Sequence, residues 1–201
     1  MAETARSARR PRTDAQRNRA HIIAVAEEGF ADLGVEVSMD AIAKRAGVGA
    51  GTLYRHFPSR EALVAAVMEA RSPDLERERV AIEDGESDSR VALERWLEAV
   101  SAFMRAYDGL PDPLRSALRE QGSPLAPTCQ DVIATTDRFL AAAQRDGHAR
   151  NGIRGRDLYL GTLAVVWAAG TESADGSVEQ GLREMLRSGW ALNGEGAAPA
   201  S

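Results

Sequence analysis

Between Leu93 and Tyr107 the residues Leu93, Trp96, Leu97, Val100, Phe103, Met104 and Tyr107 recur at steps of one, three and four. That spacing gathers large apolar side chains on one face of an α-helix. Strand-like alternation of Val, Ile and Thr is missing along the chain, and Ala, Leu, Glu and Arg dominate it. The sequence therefore predicts an all-α protein of about nine helices. With 201 residues, 44% hydrophobic and 27% charged, it fits one large domain or a small domain joined to a larger one. The longest apolar run, Leu158 to Ala169, is too short for a membrane span. The first residues carry arginines without an apolar core, so no secretory signal is expected. A single cysteine, Cys129, excludes an internal disulfide or a cysteine metal cluster and fits a reducing cytoplasm.

The punctuation divides the chain. Residues 1–13 are polar and basic and are expected to be a disordered arm. A first helix is expected from about Asp14 to Leu33, with Ile22, Ala26, Phe30 and Leu33 on one face and Gly34 closing it. Ser38 caps a short second helix, Gly47 stops it, and a third begins near Gly49. After Pro58, Ser59 caps a fourth helix that starts at Arg60. Two short helices around a glycine turn are what a helix-turn-helix requires, and this unit is expected over 14–60. Residues 61–192 read as a longer helical body, with a break at Asp84-Gly85 and a cap at Ser87 or Ser89. Further helices are expected over Leu114–Glu120, Thr128–Arg145, Arg156–Ala169 and Val178–Trp190, and residues 193–201 as a frayed tail.

Charge is unevenly spread. Residues 1–60 carry a net +3 and residues 61–201 a net −8, together the −5 of the whole chain. A basic head on an acidic body suits one-ended approach to a polyanion, although four of the head's arginines (Arg6, Arg9, Arg10 and Arg12) sit in the arm and fit a plain solvated tail equally.

The stretch GVGAGTLYRHFPSREAL holds the densest chemistry. On a wheel of roughly 100° per residue with Leu53 pointing inward, Phe57 falls on the buried side and Gly51 and Arg55 face out. Thr52 and Tyr54 flank them, and His56 lies nearer the core. A helix that presses its backbone into a groove wants no Cβ at the contact, which suits Gly51. Its N-terminal N–H groups and the Tyr54 and His56 side chains can donate to phosphate oxygens, and Arg55 can reach either a phosphate or a guanine edge. A nucleotide-binding glycine loop is excluded, because a helix rather than a strand precedes GVGAG. His56 also fits a packed histidine.

The segment VSMDAIAKRAGVGAGTLYRHFPSREAL resembles the DNA-binding signature of the tetracycline-repressor (TetR) family, most specifically in G-T-L-Y-x-H-F-x-S-x-E-A-L. The preceding AVAEEGFADLG is similar to the end of that family's first helix. The resemblance covers roughly residues 14–70. It implies an N-terminal three-helix DNA-binding head and a C-terminal body that pairs two chains and houses a small-molecule pocket. It also implies DNA contacts at Ser38, Thr52, Tyr54 and His56 and a phosphate contact at Arg60. Gly49 and Ala50 depart from the family's polar residues; with Ala50 and Gly51 giving little hydrogen bonding, base reading rests on Thr52, Arg55 and a methyl contact from Ala50. Some relatives send an arginine arm into the minor groove, as Arg9, Arg10 and Arg12 could.

In the body, Trp96, Val100, Phe103, Met104, Tyr107, Phe139, Tyr159 and Trp167 are the candidates to line a ligand cavity, though large apolar residues at this spacing equally make ordinary core. Asp137, His148, Asp157 and Glu172 lack a metal-ligand spacing, and no cofactor is expected. The resulting expectation is a homodimeric, ligand-responsive transcriptional regulator acting as a repressor on a palindromic duplex, not an enzyme. Its half-sites would lie roughly 34 Å apart. The alternative is a helical small-molecule-binding protein or enzyme with a vestigial head. An activator would use the same DNA contacts.

Overall fold

The computed structural model describes residues 9–170 and 177–192, with side chains from Asp14 onward. Nine helices account for the described chain: α1 (Arg9–Leu33), α2 (Met39–Arg45), α3 (Ala50–His56), α4 (Arg60–Gly85), α5 (Ser89–Met104), α6 (Pro111–Ala117), α7 (Ala126–Arg145), α8 (Gly155–Ala169) and α9 (Ser177–Trp190). Non-helical pairing among them is limited to one isolated antiparallel bridge, Ala149 with Ala191.

The first helix begins earlier than its sequence suggested. Arg9–Thr13, assigned to a disordered arm, form the opening turn of α1. Pro11 is compatible with this, because N–H groups of a first turn have no intrahelical acceptor to lose. An extended arm built on Arg9, Arg10 and Arg12 therefore does not describe their backbone, while Arg6 and the tail 193–201 lie outside the described residues. The same physics moves α6 forward: Pro111 sits at its N-terminus, so the helix starts three residues before the expected Leu114 and ends at Ala117 instead of Glu120. At α5 the cap is Asp88, not Ser87 or Ser89. Its carboxylate accepts from the N–H groups of Arg90 and Val91, which holds it below the ordinary aspartate range.

The head packs α1, α2 and α3 around Ile22, Phe30, Ile42, Leu53 and Phe57, and Leu63, Val64 and Val67 of α4 continue that core. α4 is 26 residues long, about 39 Å, and joins the head to the body. In the body, α5, α7 and α8 pack on one another. Trp96 stacks on Phe139 with ring centroids 5.4 Å apart, and its indole N–H donates to Thr136 Oγ1 at 2.9 Å. α9 lies on α8 at the edge and reaches α5 through the ion pairs Arg183–Glu98 and Arg187–Glu94, and Trp190 is the residue it buries. Two backbone bonds, Arg150 N–H to Trp190 O and Leu192 N–H to His148 O, clip its end to the α7–α8 loop. No helix among the described residues is long and apolar enough to cross a membrane.

Candidate nucleic-acid interface

The turn between α2 and α3 is set by Gly47, whose φ of +65° is a left-handed conformation that a side chain would resist. Ala46 and Val48 donate back to Ile42 and Ala43 and satisfy the end of α2. Ser38 Oγ accepts from the Ala41 N–H at 3.1 Å and caps the start of α2, so the side chain named from the sequence as a DNA contact is engaged as a cap while remaining exposed. Gly49 is the N-cap of α3 and offers no side-chain cap, leaving the first N–H groups of that helix open.

The seven residues of α3 divide by face as the wheel requires. Leu53 is fully buried and Phe57, its C-cap, is 2% exposed, whereas Ala50, Gly51, Tyr54 and Arg55 are exposed. Thr52 and His56 are half-buried at the flanks. No atom of the described residues lies within 4 Å of the place where a Cβ on Gly51 would stand, so this side of the helix is clear of them. Arg55 makes no ion pair among the described residues. The nearby Arg45, by contrast, is neutralised by Asp32 and Glu28, and Arg19 lies over the Phe57 ring. The geometry therefore presents a smooth strip with a phenol, a guanidinium and a hydroxyl, backed by an apolar anchor. Such a strip can enter a groove and donate to phosphates or base edges.

Arg60 takes a role that the sequence did not disclose. Its Nη1 donates to the carbonyls of Val35 (2.7 Å) and Val37 (2.5 Å), which braces the α1–α2 loop against the start of α4. One guanidinium nitrogen is thus engaged within the head, so Arg60 braces this loop from the position expected to meet a phosphate. Lys44, exposed in the last turn of α2, is a further cation on the head.

These features can be compared with known proteins. Residues 22–67 match the family model described as bacterial regulatory proteins, tetR family. Residues 88–190 match the C-terminal domain model of SbtR-like transcriptional regulators. The chain belongs to the TetR family. An HTH-type transcriptional regulator of Mycobacterium tuberculosis is 32% identical over 158 residues, covering 77% of this chain and 80% of that one. An HTH-type regulator of Staphylococcus aureus is 46% identical over 59 residues, or 29% of this chain and 32% of that one. Among solved structures, a TetR transcriptional regulator from Streptomyces coelicolor superposes with a TM-score of 0.54 at 27% identity, over 85% of this chain and 97% of that one. The Bacillus subtilis FadR regulator in complex with stearoyl-CoA shares the fold, with a TM-score of 0.58 at 21% identity over 85% and 98% of the two chains. This TetR-family regulator is thus all-α, with the helix-turn-helix at its N-terminal end.

The apolar stripe of the body is placed differently from the DNA-facing strip. Trp96, Val100, Phe139 and Tyr159 are buried as packed interior, whereas the buried Met104 and Tyr107 border an opening of about 440 Å³ beside Trp167, and Phe103 borders one of about 630 Å³ between α4 and α5. The Tyr159 hydroxyl donates to Cys129 Sγ at 3.2 Å, and burial pushes both groups' pKa values up. Trp167 is 53% exposed on the outside of α8. An opening of about 750 Å³ lies between α5, α8 and α9 and includes none of the eight. It uses the opposite edge of α5, through Leu97 and Ser101, together with Thr162 and Val165 of α8 and Leu186 and Trp190 of α9. The only sequence signal for it is the row Glu94, Leu97, Glu98 and Ser101 along the border of the α5 stripe.

Proposed function

We propose that this TetR-family regulator is a repressor that binds an inverted-repeat operator as a homodimer and leaves it when a small molecule occupies its body. The observation that carries the reading is the open strip of α3, with Gly51, Tyr54 and Arg55 exposed opposite the buried Leu53 and Phe57. In this reading the backbone at Ala50 and Gly51 approaches the groove floor. Tyr54 and His56 hold phosphates, and Thr52 and Arg55 read bases. The protein works by binding, in the cytoplasm, where its operator is.

An apolar face on the last two helices supports pairing of two chains. Leu160, Ala164 and Trp167 share one side of α8 at helical spacing, and Val178, Leu182 and Met185 share one side of α9. Met185 is 70% exposed in the single chain. A twofold pairing through this face makes a four-helix bundle and sets two α3 helices one duplex turn, roughly 34 Å, apart.

Release by a ligand needs a mechanical link between body and head, and the corner after α5 supplies one. Tyr107 packs edge-on against Phe30 of α1 and its hydroxyl donates to Glu27 at 3.4 Å, while Arg71 of α4 meets both Glu27 and the Tyr107 ring. A ligand that shifts this corner biases head spacing, and a coupling of about 1–3 kcal/mol weakens operator binding roughly 5- to 150-fold. Two neighbours of the same fold were solved with stearoyl-CoA and with triclosan bound, which supports an effector-binding body here. The test is a mobility-shift titration of the full chain against its own promoter region. The expected result is one retarded species whose footprint is an inverted repeat; equal retardation of unrelated duplex would remove the reading.

A further inference from the structure

We propose that the groove between α5, α8 and α9 is an effector site selective for an amphipathic organic cation. This proposal rests on the regulator reading for its role in the cell, but the binding itself is independent of it. The groove lies on the side of α9 turned toward α5, away from the Val178–Met185 face assigned to pairing, so a dimer leaves it open. Its volume of about 750 Å³ falls within the roughly 300–1,000 Å³ of small-molecule sites.

Two independent observations define the ligand. The first is charge arranged around an apolar floor. Leu97, Val165, Leu186 and Trp190 supply the floor, and α8 and α9 meet closely enough there that a Cβ on Gly161 would strike Leu186. Around it stand Glu94, Glu98, Glu179 and Glu184 against Arg183 and Arg187. Each guanidinium is shared between two carboxylates, Arg183 between Glu98 and Glu179, Arg187 between Glu94 and Glu184. Arg105 reaches Glu98 and Glu179 from the end of α5 and still leaves the carboxylates in excess. An incoming ammonium can therefore take one carboxylate of a shared pair without stripping the guanidinium of its other partner. An incoming anion meets guanidiniums that are already engaged, and excess negative charge.

The second observation is Thr162 on the α8 wall of the groove. It is 4% exposed, and its Oγ1 has no hydrogen-bond partner among the described residues. Leaving a buried hydroxyl unpaired is costly, and such groups are rare in folded chains. Its neighbour across the groove, Ser101, already accepts from Arg105. Thr162 is thus the polar atom held in reserve, able to accept an N–H from a ligand whose apolar part lies on Leu97 and Trp190.

The test uses two dyes of matched length on the full chain, dansylcadaverine, which ends in an ammonium, and dansyl-aminocaproate, which ends in a carboxylate. The emission of dansylcadaverine should shift to the blue on titration, with an affinity at least about tenfold above that of dansyl-aminocaproate. Glu98→Gln should weaken the cationic dye roughly three- to tenfold. Thr162→Val should weaken it about two- to tenfold without lowering Tm, because the hydroxyl it removes has no bond to lose. Equal binding of the carboxylate dye, no blue shift with either dye, or an affinity unchanged in either variant overturns the site. The mobility shift on the same preparation reads the regulator role separately. Dye binding without operator binding retains the groove and removes the regulator, and operator binding without dye binding does the reverse.

Discussion

The backbone N–H of Val35 donates to the carbonyl of Asp108 at 2.9 Å, which ties the α1–α2 corner of the head to the α5–α6 corner of the body through main chain alone. A main-chain bond of this kind is indifferent to side-chain identity, so its geometry is held by what surrounds it. Gly34 and Gly109, on either side, both adopt positive φ.

The first prediction follows from that corner. At Gly34, φ is +75° and a Cβ would stand 3.0 Å from the Asp108 carbonyl oxygen. Gly34→Ala should cost about 1–2 kcal/mol from the left-handed backbone alone and lower Tm by roughly 2–8 °C. Thermal unfolding followed by circular dichroism measures it. An unchanged Tm would mean that this corner rearranges freely.

Arg60 supplies the second. Removing its side chain leaves the Val35 and Val37 carbonyls without that donor, so Arg60→Ala should destabilise the chain by about 1–3 kcal/mol. If Arg60 is a brace, the slope of log affinity against log salt stays at the wild-type value; loss of a phosphate contact would reduce it by about one. Denaturant titration and a salt series of operator binding separate the two roles.

For α3 the expected effects are on DNA and not on stability, because Tyr54 and Arg55 are exposed. Tyr54→Phe should weaken operator binding about two- to tenfold across all sequences. Arg55→Ala should cost about 1–3 kcal/mol and relax preference at one base pair if it reads a guanine edge. Binding measured against a set of singly substituted operators distinguishes a uniform loss from a local one.

A fourth prediction concerns the interior of the body. Thr136 Oγ1 accepts from Trp96 Nε1 and donates to the Val132 carbonyl at 2.8 Å. Thr136→Val conserves shape but orphans a buried indole N–H, which should cost about 1–3 kcal/mol and roughly 2–12 °C in Tm. A variant as stable as wild type would show that the indole finds another acceptor.

Last is the pairing face. A charge at the 70% exposed Met185 is harmless to a single chain but is desolvated in a dimer, so Met185→Asp should shift the protein toward monomer at micromolar concentration with the helical content kept. Light scattering after gel filtration reports the mass. A wild-type chain that is already monomeric at that concentration would remove the dimer instead.

Much of the fold was legible because it depends on local period. The faces of α3, the caps at Ser38 and Ser59 and the stop at Gly47 each follow from residues within a turn or two of one another. Two helix starts lie earlier than the sequence suggests, because Pro11, Pro111 and Pro113 each sit in a first turn where the missing N–H is not needed. The Asp88 cap was overlooked for two neighbouring serines that offer the same chemistry one residue away.

What the sequence by itself determined is the helical character of the chain and the inward side of its short third helix, since a 3.6-residue period places Leu53 and Phe57 together whatever covers them. Only the tertiary structure decided which apolar residues are interior and which border open space. Trp96 and Phe139 meet across two helices that their own periods cannot align, Trp167 is left outside because no described helix covers it, and Arg60 finds its carbonyls in a loop 23 to 25 residues away. Burial belongs to the partner surface as much as to the residue, and the partner surface is set by chain packing over distances that no local pattern records.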